Sequence, residues 1–63
     1  MSTSIAEWSD DDIHQYLVDL DNDEETELSD WDARFVESNL ERNQFTDKQR
    51  AVVQKMVDRY GND

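Results

Sequence analysis

The 63-residue chain has no cysteine and no proline, a single glycine at Gly61, and no lysine or arginine before Arg34. Lacking cysteine, it has neither a disulfide framework nor a thiolate metal site to supplement its core. Lacking proline, and with glycine only near the end, it has almost none of the punctuation that marks turns and hairpins. No segment alternates apolar and polar residues with the period of two that a half-buried strand requires. No stretch approaches the ~20 apolar residues needed to span a bilayer, and MSTSIAEWSDDD shows no basic segment followed by an apolar run. A soluble, cytoplasmic protein without membrane association is expected. A chain this short buries only about 60% of the surface its unfolded form exposes, which argues against a deep catalytic cleft.

What punctuates the chain instead is helix capping. In W-S-D-D-D-I, Ser9 is placed to accept from the amide of Asp12 while Asp12 reaches back, and Trp8 and Ile13 occupy the flanking staple positions. L-S-D-W-D-A repeats the pattern with Ser29 and Asp32, and F-T-D-K-Q-R repeats it with Thr46 and Gln49. Acids just inside each cap (Asp10, Asp11, Asp30 and Asp47) suit the positive end of a helix dipole, while Lys55 and Arg59 suit the negative end of the last helix. Gly61 stands where a left-handed C-terminal cap would fall.

Apolar spacing agrees with these starts. Ile13, Tyr16, Leu17 and Leu20 form one helical stripe, and Val52, Val53, Met56, Val57 and Tyr60 form another. Trp31, Ala33, Phe35, Val36 and Leu40 spread over nearly half a helix circumference, which predicts a middle helix packed between two neighbours. The sequence therefore predicts an all-α, compact three-helix domain over 1–63, with helices at about 10–20, 30–42 and 47–60. Residues 1–8 are expected to be a flexible N-terminal segment and 21–28 an acidic connection.

Charge is segregated. Residues 1–33 carry twelve acids and no base, whereas 34–63 carry five acids and six bases, so the halves sum as −12 and +1 to the net −11. An acidic face of this kind repels DNA and anionic lipid and attracts a basic partner. Its densest part, DLDNDEETELSDWD at 19–32, holds eight carboxylates. Asp19, Asp21, Asp23 and Asp30 fall at positions 1, 3, 5 and 12 of a calcium-loop spacing. However, Glu24 stands where the sharp turn requires glycine, and Asp30 stands where a longer bidentate Glu is usual. No metal or other cofactor is expected. Two readings compete with that of a simple solvated linker: a partner-docking surface made by Asp21, Asp23, Glu24, Glu25 and Glu27, and an acidic mimic of DNA.

Elsewhere the chemistry is sparse. His14 has no nucleophile to activate and no second ligand at useful spacing, so it is placed on the surface and the chain is taken not to be an enzyme. Among the aromatic residues, Trp8 lies outside the first helix and is the candidate exposed anchor for a partner. Lys48, Lys55 and Arg59 share a rough face of the third helix, which an alternative reading makes a nucleic-acid-binding surface of helix-turn-helix type. Net charge speaks against it, and pairing of these bases with the acidic half is the simpler account.

The run ELSDWDARFVESNLERNQFTDKQRAVVQKMVDRYG resembles a helical module of small phage-encoded proteins, through Leu28, Ser29, Trp31, Phe35, Phe45, Thr46, Gln49 and Tyr60. Together with IAEWSDDDIHQYLVDL and the acidic N-terminal half, the whole chain resembles the acidic accessory proteins encoded in the exo–xis region of lambdoid bacteriophages. That resemblance implies a non-enzymatic protein of early phage development, connected with the choice between lysis and lysogeny, prophage induction or the host cell cycle. It implies no catalytic residues. The expected partner is a basic surface of a host or phage regulatory protein, with the chain itself a monomer or weak homodimer.

Overall fold

The computed structural model describes residues 4–60. Three helices follow one another: α1 (Asp10–Asn22), α2 (Asp30–Asn39) and α3 (Asp47–Tyr60). No strand occurs among the described residues. The expected starts are the observed ones; α1 runs two residues further than expected and α2 ends at Asn39 rather than near 42. The glycine cap expected at Gly61 lies outside the described residues.

The three starts are closed by their capping side chains. Ser9 Oγ accepts from the Asp12 amide at 3.2 Å and Asp12 accepts from the Ser9 amide at 3.1 Å, completing the box on α1. Thr46 and Gln49 form the same reciprocal pair on α3, at 3.2 and 2.8 Å. On α2 only half of the box forms. Ser29 accepts from the Asp32 amide at 3.2 Å, but the Asp32 carboxylate turns inward.

The core is built mainly from α1 and α3. Ile13, Tyr16, Leu17 and Leu20 bury the whole predicted stripe of α1, against Val53, Met56 and Val57 of α3, Val36 of α2 and Phe45 of the second connection. Each fully buried aliphatic side chain among these contributes about 1.5–3 kcal/mol through the water it leaves. Ile5 completes the cluster at 4% exposure, and its amide donates to Gln54 Oε1 at 2.9 Å. The segment expected to be flexible is therefore pinned from residue 5 onward: an isolated Ile next to an acidic helix start has no periodicity to announce its burial.

The middle helix also departs from expectation. Its buried residues are Asp32, Val36 and Asn39, one turn apart in succession, while Trp31 is 61% exposed and Phe35 only half-buried. α2 does lie against both α1 and α3, but it turns a mainly polar stripe inward, with Phe35 and Leu40 packed on the edge of the core and Trp31 left outside. The polar stripe is satisfied by α3, which runs antiparallel to α2. Asn39 Nδ2 donates to the Phe35 carbonyl at 2.7 Å and Asn39 Oδ1 accepts from Gln49 at 3.3 Å, where α2 ends and α3 begins. At the opposite end, Asp32 accepts from Arg59 at 2.7 Å and from the Tyr60 hydroxyl. Among the described residues no buried side-chain polar atom lacks a partner, as a stable interior requires.

Candidate functional site

The acidic connection begins where α1 stops. Asp23 caps α1 in an extended conformation, its amide reaching the Leu20 carbonyl at 3.3 Å. Its carboxylate then folds the following turn, accepting from Thr26 Oγ1 at 2.6 Å and from the Glu25 amide at 3.0 Å. These bonds, that from Thr26 foremost, hold the Asp23 carboxyl below the ordinary carboxylate range because they favour its charged form. Asp21, Asp23, Glu24, Glu25 and Glu27 are all exposed, and none forms an ion pair among the described residues. The connection is thus an ordered turn that displays its carboxylates to solvent.

Its geometry is not that of a calcium loop. Asp19 and Asp21 still belong to α1, and Asp19 accepts from Gln15 one turn earlier at 3.0 Å. Among the described residues no group of three or more carboxylates, histidines or cysteines converges to hold a metal ion.

Trp8, expected to be exposed, is less so. It is half-buried, its ring meeting Tyr16 edge-on at 5.6 Å, and its carbonyl accepts from Arg50 at 2.9 Å. The exposed aromatic is Trp31, whose ring stacks on Phe35 at 5.7 Å with the planes 8° apart. Sequence reasoning missed it because an inward-facing Asp32 and Asn39 look, on a helical wheel, like the solvent side. The i, i+4 spacing of Trp31 and Phe35 was the available signal for an aromatic pair on one flank.

Two grooves border this flank. One, of about 370 Å³, lies between α2 and α3 and is lined by Ser29, Trp31, Asp32, Val52, Lys55, Met56 and Arg59. The other, of about 300 Å³, lies along α2 beside Trp31, Arg34, Phe35, Ser38 and Asn39. His14, expected at the surface, is half-buried and bonded through its ring to the Leu40 carbonyl, fastening α1 to the end of α2.

The basic residues are partly spent within the fold. Arg50 pairs with Asp10 at 2.6 Å and Arg59 with the buried Asp32 at 2.7 Å. Lys48 and Lys55 are exposed and make no ion pair among the described residues. Of the Lys48, Lys55 and Arg59 face, one charge, that of Arg59, is therefore paired at close range. No helix among the described residues is long and apolar enough to cross a membrane. No protein-family model matches the chain, and neither does any curated protein or solved structure.

Proposed function

We propose that the chain is a non-enzymatic accessory protein that acts by binding another protein, its acidic connection docking on a basic surface of a host or phage regulator. The observation that carries this reading is the ordered turn at 23–26, which with its flanking residues displays Asp21, Asp23, Glu24, Glu25 and Glu27 to solvent, none of them in an ion pair among the described residues. Clustered, unneutralised charge steers a complementary partner and raises its association rate. The resemblance to accessory proteins of the exo–xis region supplies the setting, in which such binding would bear on the lysis–lysogeny choice, prophage induction or host cell division.

The test replaces the five carboxylates with Asn and Gln and compares the two proteins as baits in host lysate at low salt. Retained proteins that are lost with the variant, and whose association with the parent weakens steeply with salt, support the docking surface. Equal retention by both baits overturns it. Direct nucleic-acid binding through α3 is disfavoured by the Arg59–Asp32 pair, and acidic DNA mimicry remains a special case of docking in which the partner's basic surface is a phosphate-binding groove.

A further inference from the structure

The groove between α2 and α3 differs in charge from the rest of the molecule. Its charged lining residues are Asp32, Lys55 and Arg59, a sum of +1 in a chain of net −11. Arg34 borders the adjoining groove on the far side of Trp31 and brings the local sum to +2. The one carboxylate is already engaged, since Asp32 accepts from both Arg59 and Tyr60. The free hydrogen-bonding capacity is on the donor side. Lys55 makes no ion pair or hydrogen bond among the described residues, Arg59 is 58% exposed and uses one nitrogen on Asp32, and the Trp31 indole N–H has no partner there. The apolar lining is Val52 and the exposed Trp31, over the edge of the buried Met56.

Donors around an apolar lining match a ligand that brings acceptors around an apolar side chain. We propose that this groove receives an acidic peptide segment of another protein, with one aliphatic side chain over Val52 and Met56 and flanking carboxylates on Lys55 and Arg59. An exposed Trp beside a basic residue is the composition from which binding hot spots are made. A second copy of this chain is a poorer occupant, because it brings a further −11 and opposes like cations when the same groove faces itself. A nucleic acid is poorer too: its phosphates extend beyond these few cations, into the negative field of the remaining surface. The inference does not rest on the acidic connection, and would give the molecule a second docking surface of opposite chemistry.

The probe is a short blocked peptide with two leucines one helical turn apart among glutamates, titrated into the labelled protein and followed by NMR. The Trp31 indole N–H and the Met56 methyl should shift while the Trp8 indole, on a different surface, stays in place. Affinity should fall with salt and with replacement of the peptide's glutamates by glutamines. It should fall about tenfold or more in Trp31→Ala and several-fold in Lys55→Glu, both exposed positions whose folding is verified by circular dichroism. The variant lacking the five acidic side chains of the connection should bind the peptide at least as well as the parent. Overturning results are an absence of shifts at millimolar peptide, equal binding of the glutamine peptide, or shifts centred on Trp8. Oligothymidylate moving the Trp31 resonance where the peptide does not would replace the peptide with nucleic acid. Concentration-dependent shifts with no peptide present would replace it with a second copy.

Discussion

α1 and α2 open with nearly the same words, S-D-D-D and S-D-W-D, yet use their third helical residue in opposite ways. In α1, Asp12 stays exposed and closes the capping box locally. In α2, Asp32 is 4% exposed; the Tyr60 hydroxyl stands in its place, receiving the Ser29 amide in a long 3.4 Å contact and donating to the Asp32 carboxylate. The difference shows that a cap motif specifies where a helix begins but not where its carboxylate is spent. That choice is made by what the tertiary neighbours offer, here a tyrosine and an arginine at the end of α3.

The two helices also divide the labour of stability. Leu17 of α1 is wholly buried, so Leu17→Ala should cost about 3 kcal/mol from transfer and cavity terms together. A single core of this size rarely supplies more than about 3–5 kcal/mol, so the variant should retain at most about 2 kcal/mol and unfold at a much lower midpoint in a urea titration followed by helical circular dichroism. Loss of a similar magnitude on truncating Trp31 of α2 would remove the asymmetry.

Next in size, Asp32→Ala should destabilise by about 2 kcal/mol, because Arg59 and Tyr60 lose a buried acceptor. Asp12→Ala, which removes only half of an exposed box, should cost about 0.5–1 kcal/mol. The same titrations measure both, and equal costs would mean that the inward turn of Asp32 contributes nothing beyond a local cap.

A third expectation concerns pH. Burial, reinforced by the charge of Tyr60, pushes the Tyr16 hydroxyl up to about 12 from its ordinary 10.0. A group whose folded pKa is raised contributes stability that is intact below the unfolded value and lost as pH rises through the folded one. The protein should therefore lose stability between pH 10 and about 12, with part of its tyrosine absorbance titrating late. Titration of the Tyr16 hydroxyl at the ordinary value would contradict its burial.

The smallest effect belongs to the connection between the two helices. Thr26→Val removes the principal bond holding the Asp23 carboxyl below its ordinary range, so that carboxyl should titrate higher by NMR. Asp23's contribution to stability, present above the unfolded carboxylate pKa and lost as pH falls through the folded value, should shrink accordingly. An unchanged titration would place the order of this turn elsewhere.

These contrasts explain what was legible in the chain. Helix starts were readable because caps are local and two of the three closed as written; the stripe of α1 was readable because burying four apolar residues at helical spacing leaves no alternative. The facing of α2 was not readable. Asp32 and Asn39 are buried only because Arg59, Tyr60 and Gln49, at 10 to 28 residues' separation, supply partners for them. The burial of Ile5 depends in the same way on a glutamine 49 positions away. Of the candidate residues, the connection's acids were placed correctly on the surface, while the exposed aromatic proved to be Trp31 and not Trp8.

The bond from the Ile5 amide to Gln54, with those from Arg50 to Trp8 and Asp10, fastens the beginning of the described chain to the last helix across separations of 40 to 49 residues. On a ribosome, where the N-terminal part emerges first, none of these clasps can form until α3 has left the exit tunnel. α1 must wait as an unsupported, strongly anionic amphipathic segment, too short to hold much helix alone. The fold is therefore one whose N-terminal half can close only once α3 has emerged, instead of growing in step with synthesis.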